Sequence, residues 1–421
     1  MKKYGSEEKQ SLKNNVTGVF KNNPVAKIFI FMIGFSFLVY FVYNLISDRG
    51  SFTSIFYYGG EDLFMDFFNS VRDAAQGAEV YTVRHVIYPP MANLIYVICA
   101  CFIPARYNNT VWENRQNWVR FPEAILFIFL FTLILCLIYF FLVYAKTNGS
   151  KKVKFLFASF ALINAPVLYM IERGNIIFFC LIALMVYAFT YNSENKVYRE
   201  IGLLALAFAF SLKLYPVIFG YFLLIDKRFK EAIRCAIYGI AMLILPSFFF
   251  GGPACFIQLY KNITSFSTGG SSIYSALASV GISISPTLIS ALAYLWCFIC
   301  GLCFAISPFV HKNRWQSYVL GVMLIMLVPS LTSLYLWAFF IIPIMMLSNS
   351  EKLSRKEWIF FIVMTLMFMF NIFRFNAVLT MNSFLVYPLT AIFSITIVIE
   401  TLICGKRKLD EIKARKLDIQ E

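Results

Sequence analysis

The sequence predicts an all-α, polytopic membrane protein, and three observations predict it. Of 421 residues, 60% are hydrophobic and only 14% are charged, outside the range of a soluble globular domain. Apolar runs long enough to cross a hydrocarbon core at about 1.5 Å per helical residue recur along nearly the whole chain. Short basic loops separate these runs, in a chain of formal net charge +15. The runs are expected to be helical, because in hydrocarbon the backbone N–H and C=O groups must be satisfied within the segment itself.

The elements follow in order. Residues 1–26, with Lys2, Lys3, Lys9, Lys13 and Lys21, read as a cytoplasmic tail, too long and too polar before the first apolar run to be a cleavable signal. Spans are expected to begin near residues 27, 122, 155, 176, 200, 215, 235, 285, 316, 334, 357 and 383, about twelve in all, forming one transmembrane domain over residues 1–421. A further apolar stretch, "YPPMANLIYVICACFIPA" (88–105), is short and opens with two prolines. Lys and Arg in short loops stay cytoplasmic. The basic loops at 146–154, 196–200, 226–234, 311–314 and 351–357, and the tail 404–421, therefore share a side with the N-terminus. An even number of crossings must then separate the N-terminal tail from Lys146, so 88–105 is expected to dip into or lie along the outer interface within an outer loop spanning 47–121.

That loop concentrates acid. In "EDLFMDFFNSVRDAAQG" (61–77), Asp62, Asp66, Asn69 or Ser70, and Asp73 recur at about helical spacing, with Phe64, Phe67, Phe68, Val71 and Ala75 on the other face and Gly77 as C-cap. An amphipathic interfacial helix is expected, its polar face toward the outer cavity. Asp66, flanked by Met65 and Phe67, is partly desolvated in this reading, which raises its basicity and suits a general base for a hydroxyl nucleophile.

Two further outer stretches carry isolated charge. "IERGN" (171–175) puts Arg173 after an apolar run interrupted by Pro166. "SLKLYP" (211–216) puts Lys213 deep among apolar residues, where Pro216 breaks the helix; a lone cation in such a run invites an anionic partner. Tyr81, His85, Tyr88, Tyr215 and Tyr335 could stack on sugars or hydrogen-bond to them, or belong to an interfacial aromatic belt. A carboxylate, two cations and many aromatics suit a substrate with a phosphate near the lipid headgroups. The ten cysteines lie mostly inside apolar runs and read as free thiols; Cys297, Cys300 and Cys303 step by three without a second cluster to complete a metal site. With two histidines, His85 and His311, and no clustered carboxylates beyond one helix face, neither a metal nor another cofactor is expected.

These residues carry a resemblance. "MDFFNSVRDAAQGAEVY…YPPMANLIY" resembles the Asp-Phe, short helix, Gly, Tyr and Tyr-Pro-Pro succession of the polyprenyl-phosphate-sugar-dependent membrane glycosyltransferases of family 87, which have the GT-C fold. "IERGN" is similar to that family's Arg-Gly-Gln before a helix, with Asn175 in place of Gln, and "GLLALAFAFSLKLYPVIFGYFLLIDKRFKEA" resembles its Leu-Lys-x-x-Pro and following basic cluster. The likeness covers residues 60–235 and thins to a Ser-rich stretch (265–275) and "VPSLTSLYLWAFFIIP".

The resemblance implies a GT-C-like helical bundle that moves one sugar from a polyprenyl-phosphate donor to a hydroxyl of a lipid-linked or surface glycan, outside the cytoplasmic membrane and with inversion. It implies Asp66 as catalytic base and Arg173 and Lys213 as holders of the donor phosphate; Asp62, Tyr81, His85, Tyr88, Asn175, Tyr215 and Tyr335 are the substrate contacts expected beside them. Expected partners are membrane lipid, the lipid-linked donor and a glycan or glycolipid acceptor, and no nucleic acid. Two other classes stay open: a carrier or flippase for a lipid-linked or anionic solute, using the same cations, and a glycan polymerase or ligase.

Overall fold

The computed structural model describes residues 23–46, 64–102, 122–266, 285–327, 334–370 and 381–417, and every regular element among them is helical. Asp62, the loop 106–120 and most of the Ser-rich stretch 265–275 lie outside the described residues. The helices are α1 (Pro24–Ile46), α2 (Met65–Ala74), α3 (Glu79–Thr82), α4 (Pro90–Ala100), α5 (Pro122–Lys146), α6 (Lys151–Leu162), α7 (Ala165–Arg173), α8 (Ile177–Thr190) and α9 (Lys196–Leu212). They continue as α10 (Tyr221–Ile225), α11 (Phe229–Ser247), α12 (Cys255–Phe266), α13 (Pro286–Val310), α14 (Trp315–Leu327), α15 (Ile341–Ser348), α16 (Arg355–Leu366) and α17 (Met381–Leu417).

A helical element begins close to each position that hydropathy marks, the widest gap being Phe229 against 235. Three described helices are long and apolar enough to cross a membrane by themselves, Pro24–Tyr43, Pro122–Lys146 and Phe229–Phe250, and the bent pair α6 and α7 makes a fourth. Two of the shorter apolar stretches are divided by breaks: Tyr215–Gly220 and Leu334–Phe340 are 3-10 helices, and Pro216 opens the first of these. α4 has 11 residues, about 16 Å of helix against a hydrocarbon core of about 30 Å, so it is too short to cross alone.

The bend of 52° between α6 and α7 has a local cause. Asn164, fully buried, accepts from the Val167 N–H at 3.1 Å and donates to the Ala161 carbonyl at 2.5 Å, so one side chain satisfies both helix ends. Pro166, in the first turn of α7, has a φ already suited to a helix start. Asn164→Ala is expected to lower stability by about 1–2 kcal/mol, read as an earlier thermal transition in detergent; an unchanged transition would mean that the bend is fixed elsewhere.

Hydrogen bonds join the basic loops to one another at one end of the bundle. Asn23 bonds the Asn148 carbonyl at 2.7 Å, Asn349 accepts from the Asn148 N–H at 2.8 Å, and Lys146 reaches the Phe189 carbonyl at 3.4 Å. Arg228 bonds the Tyr191 carbonyl at 2.8 Å, Arg314 pairs with Asp226, and Trp315 donates to Glu357 at 3.3 Å. These are the loops that charge alone groups on a single side. α8 runs toward this end and α9 leads away from it, since Arg199 near the start of α9 bonds Ser193 just beyond α8, while the Cys180 thiol meets the Ala209 carbonyl near the far end.

Candidate active site

At that far end α2, α7, α8 and α9 begin or finish, and each brings one polar group. α2 starts at Phe64, whose φ of 55° is left-handed and whose N–H donates to the Glu172 carbonyl at 2.7 Å. α7 finishes at Gly174, also left-handed at φ +62°. A Cβ at position 174 would stand 2.8 Å from the Cβ of Phe67 and 3.3 Å from the Phe64 ring. The glycine is thus needed twice, for its backbone angle and for the close approach of α2.

This approach sets Asp66 against Arg173. The two form an ion pair through Asp66 Oδ1, both side chains being about four-fifths buried, at 19% and 18% exposure. The other carboxylate oxygen, Oδ2, accepts from Asn175 Nδ2 at 2.8 Å. Asn175 is held in turn: its Oδ1 accepts from the Ile177 N–H at 3.1 Å, and its Nδ2 lies 3.3 Å from the Tyr88 hydroxyl. Lys213 follows the last residue of α9 in extended conformation, φ −145°, and its Nζ sits 4.0 Å from the centroid of the Tyr88 ring. Lys213 stands just past the end of its helix, with its ammonium buried. Burial draws its pKa down to about 8, with Cys180 and Asp66 acting in the other direction.

The remaining expected residues divide. Tyr335 lies within electrostatic reach of Tyr88, Asp66 and Arg173, and Tyr215 within reach of Tyr335 and Tyr88. The Tyr215 hydroxyl is buried without a hydrogen-bond partner among the described residues. Tyr81 is fully buried, and its hydroxyl donates to the Tyr88 carbonyl at 2.9 Å and accepts from Asn93 at 2.9 Å, so it supports Tyr88 from behind. His85 is exposed in a turn at φ 53°, and no hydrogen bond among the described residues ties it to Asp66. Tyr169 was not singled out from the sequence. It stacks on Tyr335 with ring centroids 6.0 Å apart and an interplanar angle of 18°. The available signal was its spacing, four residues before Arg173 on the same helix.

α2 is amphipathic in sequence, yet both of its faces are covered. Phe67, Phe68 and Val71 are buried, and so is Arg72 beside Asp73, with which it pairs. The helix ends before Gly77, which takes φ +58° in the turn that follows. Behind the ion pair, an apolar crevice lined by Phe67, Ile128, Phe131, Met170, Ile176 and Phe179 runs between α5, α7 and α8 and reaches Asn175. Among the described residues no three His, Cys, Asp or Glu side chains lie close enough together to hold a metal ion.

The sequence model of glycosyltransferase family 87 matches residues 86–330. The chain belongs to this family. No curated protein and no solved structure matches it. As a family 87 glycosyltransferase it is an enzyme, and its apolar helices are those of a membrane protein. The matched segment of this glycosyltransferase contains Tyr88, Arg173, Asn175, Lys213 and Tyr215. Asp66 and Tyr335 lie outside it and reach the same cluster through the fold.

Proposed function

We propose that this glycosyltransferase moves one sugar from a polyprenyl-phosphate donor to a hydroxyl of a lipid-linked or cell-surface glycan, on the extracytoplasmic face, within a GT-C-type bundle. The observation that carries the reading is the meeting of Asp66 with Arg173 and Asn175, next to Lys213, from three separate stretches of chain. The sidedness is supported by the position of this cluster at the end of the bundle away from the hydrogen-bonded basic loops, which the positive-inside rule assigns to the cytoplasm. Family membership favours transfer over the carrier reading.

In this mechanism the acceptor hydroxyl gives its proton to the Asp66 carboxylate as its oxygen bonds the anomeric carbon. The bond from that carbon to the phosphate oxygen breaks, and polyprenyl phosphate departs with the electron pair. Attack opposite the departing phosphate inverts the anomeric centre. Arg173 and Lys213 stabilise the charge that grows on the leaving phosphate, a task the reading gives to these cations rather than to a metal. A guanidinium has five N–H donors and can face a carboxylate and a phosphate together, so the ion pair with Asp66 is compatible with both roles.

The test uses purified protein and a fluorescent polyprenyl-phosphate sugar, followed for release of the lipid phosphate. Lys213→Gln and Arg173→Gln are each expected to weaken donor binding about 10- to 100-fold, the worth of a charge-assisted hydrogen bond. Movement of intact donor across vesicles without cleavage would overturn the assignment as a transferase from this donor. Native donor affinity in both variants would overturn the phosphate site.

A further inference from the structure

The charged groups of the site do not stand alone. Lys213 has no carboxylate within salt-bridge distance among the described residues, and its Nζ lies over the face of Tyr88, 4.0 Å from the ring centroid. A π face attracts an ammonium without taking up its N–H donors directionally, so a cation held this way can still bind an anion. The Tyr88 ring is itself fixed. Its carbonyl accepts from the Tyr81 hydroxyl at 2.9 Å and from Asn93 at 3.3 Å, and Pro89 and Pro90 follow at the start of α4. Its hydroxyl meets Asn175 at 3.3 Å, and the same Asn175 nitrogen donates to Asp66 at 2.8 Å.

We propose that Tyr88 is a positioning residue, whose ring face holds the Lys213 ammonium toward the donor phosphate. This rests on the reading of Lys213 as a phosphate ligand. It also gives Tyr81 and Asn93 a purpose, since together they fix the segment from which the Tyr88 ring is presented. The ring of Tyr88 is then engaged by the cation on one face and is not a free platform for a sugar. Its place in that respect is open to the stacked pair Tyr169 and Tyr335.

A positioning role of this kind has a signature in pH. Lys213 binds an anion as the ammonium and loses that charge as pH rises through about 8, so donor affinity should fall on the alkaline side. The groups facing it are Tyr88, Cys180 on α8 and Asp66 on α2. Removing the ring takes away a contact that favours the charged form, so the alkaline fall should move to lower pH.

The experiment measures binding and turnover of a fluorescent polyprenyl-phosphate sugar between about pH 6.5 and 9.5 for the native protein, Tyr88→Phe, Tyr88→Leu and Lys213→Gln. Tyr88→Leu should raise the donor KM about 3- to 30-fold, the range of a cation–π contact, and shift the alkaline fall downward. Tyr88→Phe, which keeps the ring, should leave both near native. A native donor KM and alkaline fall in Tyr88→Leu, beside weak binding in Lys213→Gln, would overturn the role of Tyr88 and leave the donor reading intact. Native donor binding in Lys213→Gln would remove the reading on which it rests. Should Tyr88→Leu fail to fold, Tyr88→Phe decides: a weakened donor affinity with a shifted alkaline fall would overturn the proposal, because its ring is unchanged.

Discussion

Asp66→Asn is expected to reduce kcat by about 10²- to 10⁴-fold, the usual worth of a general base, while donor binding stays within a few-fold of native. The amide keeps the volume of the carboxylate but leaves its NH2 facing a donor of Arg173 or Asn175 and the guanidinium without its counter-charge, so a lower thermal transition is expected beside the loss of kcat. The amide cannot accept the acceptor's proton. Single-turnover kinetics with a fluorescent donor separates turnover from donor binding, and a kcat within tenfold of native would retire Asp66 as the base.

Gly174→Val is expected to be the most damaging substitution away from the charged groups themselves. At φ +62° a β-branched residue is strained, and a Cβ there would stand 2.8 Å from the Cβ of Phe67. Backbone strain of about 1–2 kcal/mol and overpacking of about 1–3 kcal/mol act together. The relief available is for α2 to move off the end of α7, which would part Asp66 from Arg173. The expected result is a thermal transition several degrees lower together with near-complete loss of turnover. Native turnover in this variant would show that the site does not depend on this contact.

The sequence was most informative where the membrane imposes its own rule. An apolar run has to be a helix, and Pro166 and Pro216 are legible as breaks, so helical elements begin near the expected positions. The isolated charges at Asp66, Arg173 and Lys213 were legible for the same reason: a charge beside apolar residues needs a partner. Which partner it finds was not legible. Arg173, expected at a phosphate, faces Asp66 in the fold, a pairing across 107 residues that no local pattern encodes. The polar side of α2 read as facing an open cavity, whereas Asp66 meets Arg173 and Asn175, and Arg72 is buried next to Asp73. Tyr81 looked like a ligand contact because its type and position fitted one; its burial behind Tyr88 depends on Asn93 and on Asn262, which bonds the Tyr81 carbonyl at 2.9 Å.

The wide separation along the chain of the two halves of the ion pair bears on how the protein is made. Asp66 leaves the ribosome 107 residues ahead of Arg173. At about 5 to 20 residues per second, that leaves roughly 5 to 20 seconds in which the acid has been synthesised and its counter-ion has not. Throughout that interval the nascent segment must keep its carboxylate hydrated or borrow another cation, and the clasp between Phe64 and Glu172 cannot yet close. Completion of this ion pair is therefore a late event in biogenesis, coupled to arrival of the bent helix pair rather than to insertion of the first span.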